Sequence, residues 1–261
     1  MATDLKNKWA LITGASSGIG HATATVFAQK GMNLLITGRR QERLDELKKQ
    51  LEKSHGVKVE VLVFDIQDYK ACEATLLPKI QDISLSLLVN NSGLAKGVQP
   101  LQDGAIEDWE QMIDTNIKGL LYMTRLVLPH MIKNKSGHIV NLGSVAGRWT
   151  YPGGAVYSAT KFAVRGISES LRMDLLGTPI RVTNIEPGMV ETEFSDVRLQ
   201  DKEKAKKVYQ GVNALKAEDI AETIAWCVER PGHVNIQELV IYPTQQAGVG
   251  PSYTFRNSSP S

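Results

Sequence analysis

Short apolar runs alternate with longer amphipathic runs along almost the whole chain, and this alternation constrains the fold most. Seven runs are typical of β-strands: KWALIT, MNLLITG, VKVEVLVFD, LSLLVNN, GHIVNLGS, IRVTNIEPG and QELVIYP. Six of them are rich in β-branched residues, and most end at Gly, Asn, Asp or Pro. The runs between them are typical of helices, such as RQERLDELKKQLEKS, where Leu44, Leu47 and Leu51 recur at helical spacing.

Strands and helices that alternate in this way predict a mostly parallel sheet with helices on both faces. Because crossover connections are right-handed, the main topology left is the Rossmann-like, doubly wound α/β fold, here with about seven strands. We see no linker or composition shift, so we expect one domain over residues 1–245, with a lid segment at 190–211. The tail 246–261 is predicted to be partly disordered because of its composition.

The charge and hydropathy of the chain narrow the class of protein. The 261 residues include 30 basic and 28 acidic side chains, which gives no reason to expect nucleic acid or an anionic membrane as a partner. No run approaches the roughly 18 apolar residues of a membrane span, and the N-terminus shows no signal pattern. Cys72, Cys227 and five scattered histidines show no metal-ligand spacing. We therefore expect a soluble cytoplasmic protein without a metal site.

A glycine-rich turn, TGASSGIG, follows the first strand and opens the first helix. Gly14, Gly18 and Gly20 would allow a tight turn and the close approach of a ligand to the backbone. The helix N-terminus would offer free N–H groups to a pyrophosphate. Such a turn alone can also be a plain loop, but its place between a first strand and a helix favours a dinucleotide site. The same turn contains the further candidates Ser16, Ser17 and Ile19.

The second strand ends in TGRRQER, where dinucleotide-binding folds often carry an acidic residue for the ribose 2′-hydroxyl. Arg39 and Arg40 stand there instead, and such a pair would attract a 2′-phosphate by charge-assisted hydrogen bonds. The alternative is a solvated start to the charged helix that follows. The arginine pair favours NADP(H) over NAD(H).

Two more strand ends would complete an adenine and ribose cradle, because ligands of such sheets lie at the carboxyl ends of strands. Either end could instead be only a helix cap or a turn. The candidates there are Asp65, Ile66, Asn91, Ser92 and Gly93.

Tyr157 and Lys161 lie four residues apart in YSATK, so they are neighbours on one face of a predicted helix. A free tyrosine has a pKa of about 10 and is a poor base near pH 7, but a nearby ammonium favours the phenolate. Ser144 ends the fifth strand and would face the same sheet edge, where its hydroxyl can donate to a carbonyl oxygen. Asn116, in DTNIKG, begins a predicted helix and could be only its N-cap.

Taken together, TGASSGIG, NNSG, Asn116, Ser144, YSATK and Pro187-Gly188 resemble the short-chain dehydrogenase/reductase family over about residues 8–245. The resemblance implies that Tyr157 is the acid/base and that Lys161 binds the nicotinamide ribose and lowers the pKa of Tyr157. Ser144 would hold the substrate oxygen, and Asn116 would support a proton relay through water. The residues expected against the nicotinamide are Pro187, Gly188, Val190 and Thr192.

Within the family, MIDTNIKGLLYMTR, YPGGAVYSATKFAV and IEPGMVETEFSDVR look most like the NADP-dependent 3-hydroxy acid dehydrogenases, also described as serine dehydrogenases. The implied substrates are serine, 3-hydroxyisobutyrate, 3-hydroxypropionate or their semialdehydes. The implied assembly is a homotetramer that meets mainly through helices at 116–133 and 155–176. Two alternatives are a broad carbonyl reductase for uncharged ketones and aldehydes, and a cofactor-binding scaffold without turnover. Intact Asn116, Ser144, Tyr157 and Lys161 argue against the scaffold.

A 3-hydroxy acid would need a partner for its carboxylate, and bidentate guanidinium geometry suits that role. Arg198, in the lid-like run EFSDVRL, is our hypothesis, and Arg148 is the second choice. The alternative for Arg198 is an ordinary solvated loop arginine.

Overall fold

The computed structural model describes residues 3–250 and 253–256. Its strands are Trp9–Ile12 (β1), Asn33–Gly38 (β2), Val59–Val63 (β3), Leu85–Asn90 (β4), Gly137–Leu142 (β5), Ile180–Pro187 (β6), Val190–Glu191 (β7), Leu215–Lys216 (β8) and Glu238–Ile241 (β9). Seven of them form one sheet in the order β3-β2-β1-β4-β5-β6-β9, and every neighbouring pair in it is parallel. Strands β7 and β8 pair separately.

The α-helices within these residues lie between the strands. They are Gly18–Gln29 (α1), Gln41–His55 (α2), Tyr69–Ile80 (α3), Ile106–Ile113 (α4), Leu120–Lys133 (α5), Ala155–Asp174 (α6), Phe194–Leu199 (α7), Lys202–Tyr209 (α8) and Ala217–Val228 (α9). None of these helices is long and apolar enough to cross a membrane.

The sheet is buried on both faces, which explains why its strands are almost continuously apolar. On one face, side chains of α1, α2 and α9 pack into a core that includes Phe27, Leu44 and Ile224. On the other face, α3 and α5 contribute Leu76 and Val127 to a second core. The predicted Rossmann-like fold with about seven strands is therefore confirmed.

The strand order reverses between β1 and β4, and this switch point places the predicted motifs at one edge of the sheet. In open α/β sheets a crevice forms there, beyond the carboxyl ends of the strands. The glycine turn follows β1, Asn91 to Gly93 follow β4, and Ser144 follows β5. Residues far apart in sequence are thus brought to one crevice by the topology.

The helix before β5 differs from its predicted range of 116–133. The helical region begins earlier, at Ile106, the first residue of α4. The first turn of α4 carries Glu107 and Asp108, whose negative charges are favourable at a helix N-terminus. A π-helical segment, Asp114–Gly119, then joins α4 to α5. Asn116 lies within this segment, so the N-cap interpretation of Asn116 is wrong.

Part of the tail packs against the rest of the protein where the structure describes it, and the partial disorder of the tail stays a prediction. Gln246 is buried and pairs with Thr254 in an antiparallel bridge. Its Oε1 accepts a hydrogen bond of 2.7 Å from Met189 N. The end of the tail, on which the prediction of disorder mainly rested, lies outside the described residues.

Candidate active site

A cavity of about 780 Å³ lies along the carboxyl edge of the sheet, with the glycine turn, the lid segment and α6 in its walls. Most of the predicted site residues line it: Gly14, Ser16, Ser17, Gly18, Ile19, Arg39, Arg40, Asp65, Ile66, Asn91, Ser92, Gly93, Ser144, Tyr157, Lys161, Pro187, Gly188, Val190, Thr192 and Arg198. Three others, Gly20, Asn116 and Arg148, lie outside its lining.

The glycine turn requires its glycines for two different reasons. Gly14 and Gly18 have φ angles of 67° and 53°, in the left-handed region that favours glycine. Gly20 has an ordinary φ, but a Cβ there would contact the Asn91 amide and the Gly14 carbonyl. The Asn91 amide donates to the Thr13 and Gly14 carbonyls, at 2.9 and 3.3 Å, and so supports the turn from behind. Gly20 therefore shapes the site without lining it.

Arg40 is held against this turn. Its Nε and Nη2 donate to Ser16 Oγ at 3.1 and 2.9 Å, and Nη2 also donates to Ser17 Oγ at 2.6 Å. Arg39 forms only a long contact, 3.4 Å, with the Asp65 carboxylate. These contacts hold Arg40 at the glycine turn, and its role toward a 2′-phosphate stays a prediction. Two guanidinium groups and two hydroxyls thus meet at one end of the cavity.

Helix α6 brings Tyr157 and Lys161 to one face, as predicted. The Lys161 ammonium lies 5.9 Å from the centre of the Tyr157 ring and donates to the Leu142 carbonyl at 2.7 Å. Lys161 is buried, and this burial lowers its pKa to about 8. A cation is therefore held beside the tyrosine, at the carboxyl end of β5.

The pKa of Tyr157 departs from the direction that the resemblance implied. Burial raises this pKa and the neighbouring Tyr151 raises it further, whereas the Ser144 hydroxyl and the Arg198 charge lower it only in part. Lys161 was expected to lower the pKa of Tyr157, but in this structure desolvation outweighs the favourable neighbours.

Ser144 lies next to Tyr157 because the turn that carries it packs directly on α6. The Ser144 Oγ accepts a hydrogen bond of 3.1 Å from Ala146 N in the short 3-10 turn Val145–Gly147. A Cβ on Gly147 would lie 2.7 Å from the Lys161 carbonyl oxygen. The turn is therefore held closely against the helix that carries the tyrosine and the lysine.

Asn116 connects the elements around the site from behind the cavity wall. Its Oδ1 accepts from Leu94 N at 2.9 Å, and its Nδ2 donates to the Leu94 carbonyl at 2.8 Å and to Thr160 Oγ1 at 3.0 Å. The buried side chain thus joins the loop after β4 to α6, one residue from Lys161. The proton relay expected of Asn116 stays a prediction.

Arg198 reaches the site from α7. Its guanidinium carbon lies 5.3 Å from the centre of the Tyr151 ring and 5.9 Å from that of Tyr157. Its Nε donates to the Gly97 carbonyl at 3.3 Å, and its own carbonyl accepts from Gly97 N at 3.0 Å. The side chain is half-buried. These contacts hold Arg198 at the site, and its role toward a substrate carboxylate stays a prediction.

Arg148, the second choice as partner of a substrate carboxylate, does not line the cavity. Its guanidinium lies between the carboxylates of Glu186 and Glu238, which raise its pKa against the opposing effect of burial. Glu238 also pairs with Arg165 at 2.9 Å. Nε and Nη2 of Arg148 are thus paired with carboxylates of the protein, outside the cavity lining.

Sequence reasoning missed several residues of the cavity. Tyr151 lies beneath Arg198, and the Phe194 ring lies 5.7 Å from that of Tyr157. Gln246 and Arg256 also line the cavity. Phe194 lies in the run EFSDVRL and Tyr151 in the run YPGG, but no periodicity or spacing distinguishes them from ordinary loop aromatics.

A family model described as short chain dehydrogenase matches residues 8–204, which include the glycine turn and the Tyr157 region. The chain belongs to this family, and the predicted class, an oxidoreductase of that family, is confirmed.

Similar proteins cover almost the same length. The NADP-dependent 3-hydroxy acid dehydrogenase YdfG of Escherichia coli K12 is 48% identical over 92% of this chain and 96% of its own. Sulfoacetaldehyde reductase 2 of Chromohalobacter salexigens is also 48% identical, over 91% and 94%. The closed form of serine dehydrogenase complexed with NADP⁺ is a similar solved structure, with a TM-score of 0.86, 44% identity and coverage of 97% and 100%.

Proposed function

We propose that the protein is an oxidoreductase that transfers a hydride between NADP(H) and a small 3-hydroxy acid or its semialdehyde. Serine, 3-hydroxyisobutyrate and 3-hydroxypropionate are the expected substrates. The observation that carries this function is the position of Arg198, whose cation lies over the rings of Tyr151 and Tyr157. A small molecule could place its anionic group against Arg198 and its reacting hydroxyl against Tyr157 at the same time.

The cavity fits the proposed cofactor. A turn that admits no Cβ at Gly20 opens α1, whose first N–H groups suit a pyrophosphate. Arg39, Arg40 and the hydroxyls of Ser16 and Ser17 would hold a 2′-phosphate. The names of similar proteins, which mention NADP, support the same choice. When bound, the nicotinamide would supply or accept the hydride.

The remaining chemistry is the movement of one proton. Tyr157 would give the proton to the substrate oxygen in reduction and take it back in oxidation. Ser144 would donate a hydrogen bond to that oxygen and stabilise charge that develops on it. Lys161 would hold the nicotinamide ribose and, while charged, favour the tyrosinate. Asn116 would hold the loop after β4 against α6 and would support a proton relay through water.

The proposed substrate class is defined by the number of carbons between the anionic group and the reacting carbon. In a 3-hydroxy acid one carbon separates the carboxylate from the carbon that bears the hydroxyl. Sulfoacetaldehyde, named for one relative, has one carbon between its sulfonate and its aldehyde. Arg198 can pair with either anion by charge-assisted hydrogen bonds. A small anionic substrate is thus consistent with both relatives.

A broad carbonyl reductase is the second candidate, and the apolar side of the cavity favours it. Val98, Phe194 and Val197 line the cavity together with Tyr151 and Arg198. An uncharged ketone or aldehyde could lie against these side chains without using the arginine.

Arg198→Gln separates the two candidates. The matched substrates are 3-hydroxyisobutyrate and its methyl ester, which differ in the carboxylate charge. We expect kcat/KM for the acid to fall by about 30- to 1,000-fold, since a lost partner of a desolvated charge costs ~2–4 kcal/mol, and the ester to change little. Tyr157→Phe is the comparison variant and should abolish turnover of both substrates. An equal fall for acid and ester in Arg198→Gln would contradict the carboxylate role.

We extend the proposal to the organisation of the whole molecule. Residues 1–245 would act as one catalytic domain, and 190–211, which contain β7, α7 and α8, would act as its lid. A homotetramer would form through α5 and α6, where Leu121, Ile132 and Phe162 are exposed. The protein would work in the cytoplasm.

A further inference from the structure

Glu193 lies at the start of the lid segment and bridges two arginines. Its carboxylate accepts from Arg40 Nη1 at 3.0 Å and from Arg43 Nη1 at 2.8 and 3.0 Å. Partial burial raises the pKa of Glu193, but the hydrogen bonds from Arg40 and Arg43 outweigh it and hold the pKa below its usual value. The carboxylate is therefore charged at neutral pH.

Arg40 faces this carboxylate and the cofactor end of the cavity at the same time. Its Nε and Nη2 contact the glycine turn through Ser16 and Ser17, while its Nη1 contacts Glu193. Arg40 and Glu193 both line the cavity, whereas Arg43 lies outside its lining. A phosphate against Arg40 would therefore meet Glu193 as a second anion on the same cation.

We propose that Glu193 is a cofactor-specificity residue, whose carboxylate competes with the 2′-phosphate of NADP(H) for Arg40. Arg43 gives Glu193 a second partner, so the carboxylate stays paired when Arg40 turns to the phosphate. Because it needs Arg40 to hold the 2′-phosphate, this role of Glu193 rests on the proposed function.

The competition for Arg40 also affects the substrate end of the cavity, because Glu193 is covalently continuous with α7. Glu193 directly precedes α7, which carries Phe194 and Arg198 against the Tyr157 ring. The 2′-phosphate thus weakens the contact between Glu193, at the start of the lid segment, and Arg40, which follows β2. By thermodynamic reciprocity, the lid contact weakens phosphate binding by the same factor.

Isothermal titration calorimetry with two nucleotides tests this role on the full chain. Adenosine 2′,5′-bisphosphate and 5′-AMP differ only in the 2′-phosphate, so their affinities isolate that group. We expect Glu193→Gln to tighten the bisphosphate by about two- to fivefold, the scale of exposed ion pairs, and to leave 5′-AMP unchanged. The gain should shrink at high salt. Glu191→Gln, an equal loss of charge at an exposed position outside the cavity lining, should change neither affinity.

Arg43→Gln is the second variant. It should weaken binding of the bisphosphate, because Glu193 then depends on Arg40 alone, and it should have no effect in the Glu193→Gln background. An equal effect in both backgrounds would show that Arg43 acts directly on the phosphate and would overturn its role through Glu193.

The remaining outcomes distinguish a failure of the role of Glu193 from a failure of the arginine site for the 2′-phosphate. If Glu193→Gln leaves the bisphosphate unchanged, weakens it, or tightens both nucleotides alike, the competition is wrong while the arginine site stands. If the wild-type protein binds both nucleotides equally well, Arg39 and Arg40 do not hold a 2′-phosphate. The proposed NADP(H) preference then fails together with the role of Glu193.

Discussion

Lys161 shows at the scale of one residue how a site can oppose the stability of its fold. Lys161 is 7% exposed, and its ammonium donates a hydrogen bond to the Leu142 carbonyl. Burial lowers its pKa from 10.5 to about 8, so below pH 8 the folded protein holds a charge that water would solvate better. The proposed chemistry needs that charge near Tyr157, and the fold does not.

Lys161→Met should therefore stabilise the nucleotide-free protein at neutral pH while it abolishes turnover. Between pH 8 and 10.5 the unfolded chain binds more protons at this residue than the folded one, so the contribution of Lys161 to wild-type stability rises with pH over this window. The variant lacks this dependence. Its advantage should be about 1–2 kcal/mol at pH 7, after the lost hydrogen bond is counted, and should decline toward pH 10.

Urea unfolding of both proteins at pH 7 and at pH 9.5 measures this difference. Because other groups titrate alike in the two proteins, their contributions cancel at each pH. An advantage of the same size at both pH values would show that the charge on Lys161 is not the cause.

At the scale of elements, the contact between the glycine turn and the strand end behind it is the tightest constraint at the cofactor end of the cavity. We expect Gly20→Ala to destabilise the protein by about 1–3 kcal/mol, since the new methyl must displace the Asn91 amide or the Gly14 carbonyl. Nucleotide affinity should fall as well, because the turn cannot keep its shape.

Gly232→Ala is the matched control, because a Cβ at Gly232 meets nothing within 4 Å. Its free energy of unfolding should stay within about 0.5 kcal/mol of the wild-type value. Differential scanning calorimetry and nucleotide titration check both variants. A Gly20→Ala protein with unchanged stability and affinity would show that the turn can shift without loss.

The elements themselves could be predicted because their signals are local. The strands that form the sheet were expected within a few residues of their bounds, since burial on both faces makes them apolar. The strand-end placement of Ser144 and the shared face of Tyr157 and Lys161 also follow from chain order and helical spacing. These features need no knowledge of what packs against them.

The π-helical segment around Asn116, the pairing of Arg148 and the place of Tyr151 could not be predicted in the same way. Each depends on partners far away in sequence: Asn116 on Leu94, Arg148 on Glu186 and Glu238. An arginine after a strand end has the same local signal whether it meets a substrate or two carboxylates of the protein itself. Only the fold distinguishes these cases.

At the scale of the whole molecule, the apolar side chains left exposed on α5 and α6 bear on assembly. Leu121 and Ile132 on α5, and Phe162 and Met173 on α6, are exposed in the single chain. Single exposed apolar residues are ordinary, but α5 and α6 are also the helices that the family resemblance implies for the contact between subunits. A two-fold contact would bury each of these residues twice.

Phe162→Glu should split the proposed tetramer, because association through α6 would bury an unpaired carboxylate, which costs several kcal/mol. Light scattering after gel filtration should show a tetramer for the wild-type protein and a smaller particle for the variant. Val63→Glu is the matched control: Val63 has the same exposure, 40%, but lies on β3 at the far edge of the sheet. It should keep the wild-type mass, and circular dichroism should show that both variants fold. A Phe162→Glu protein with wild-type mass would place the contact elsewhere, and a monomeric wild-type protein would refute the assembly itself.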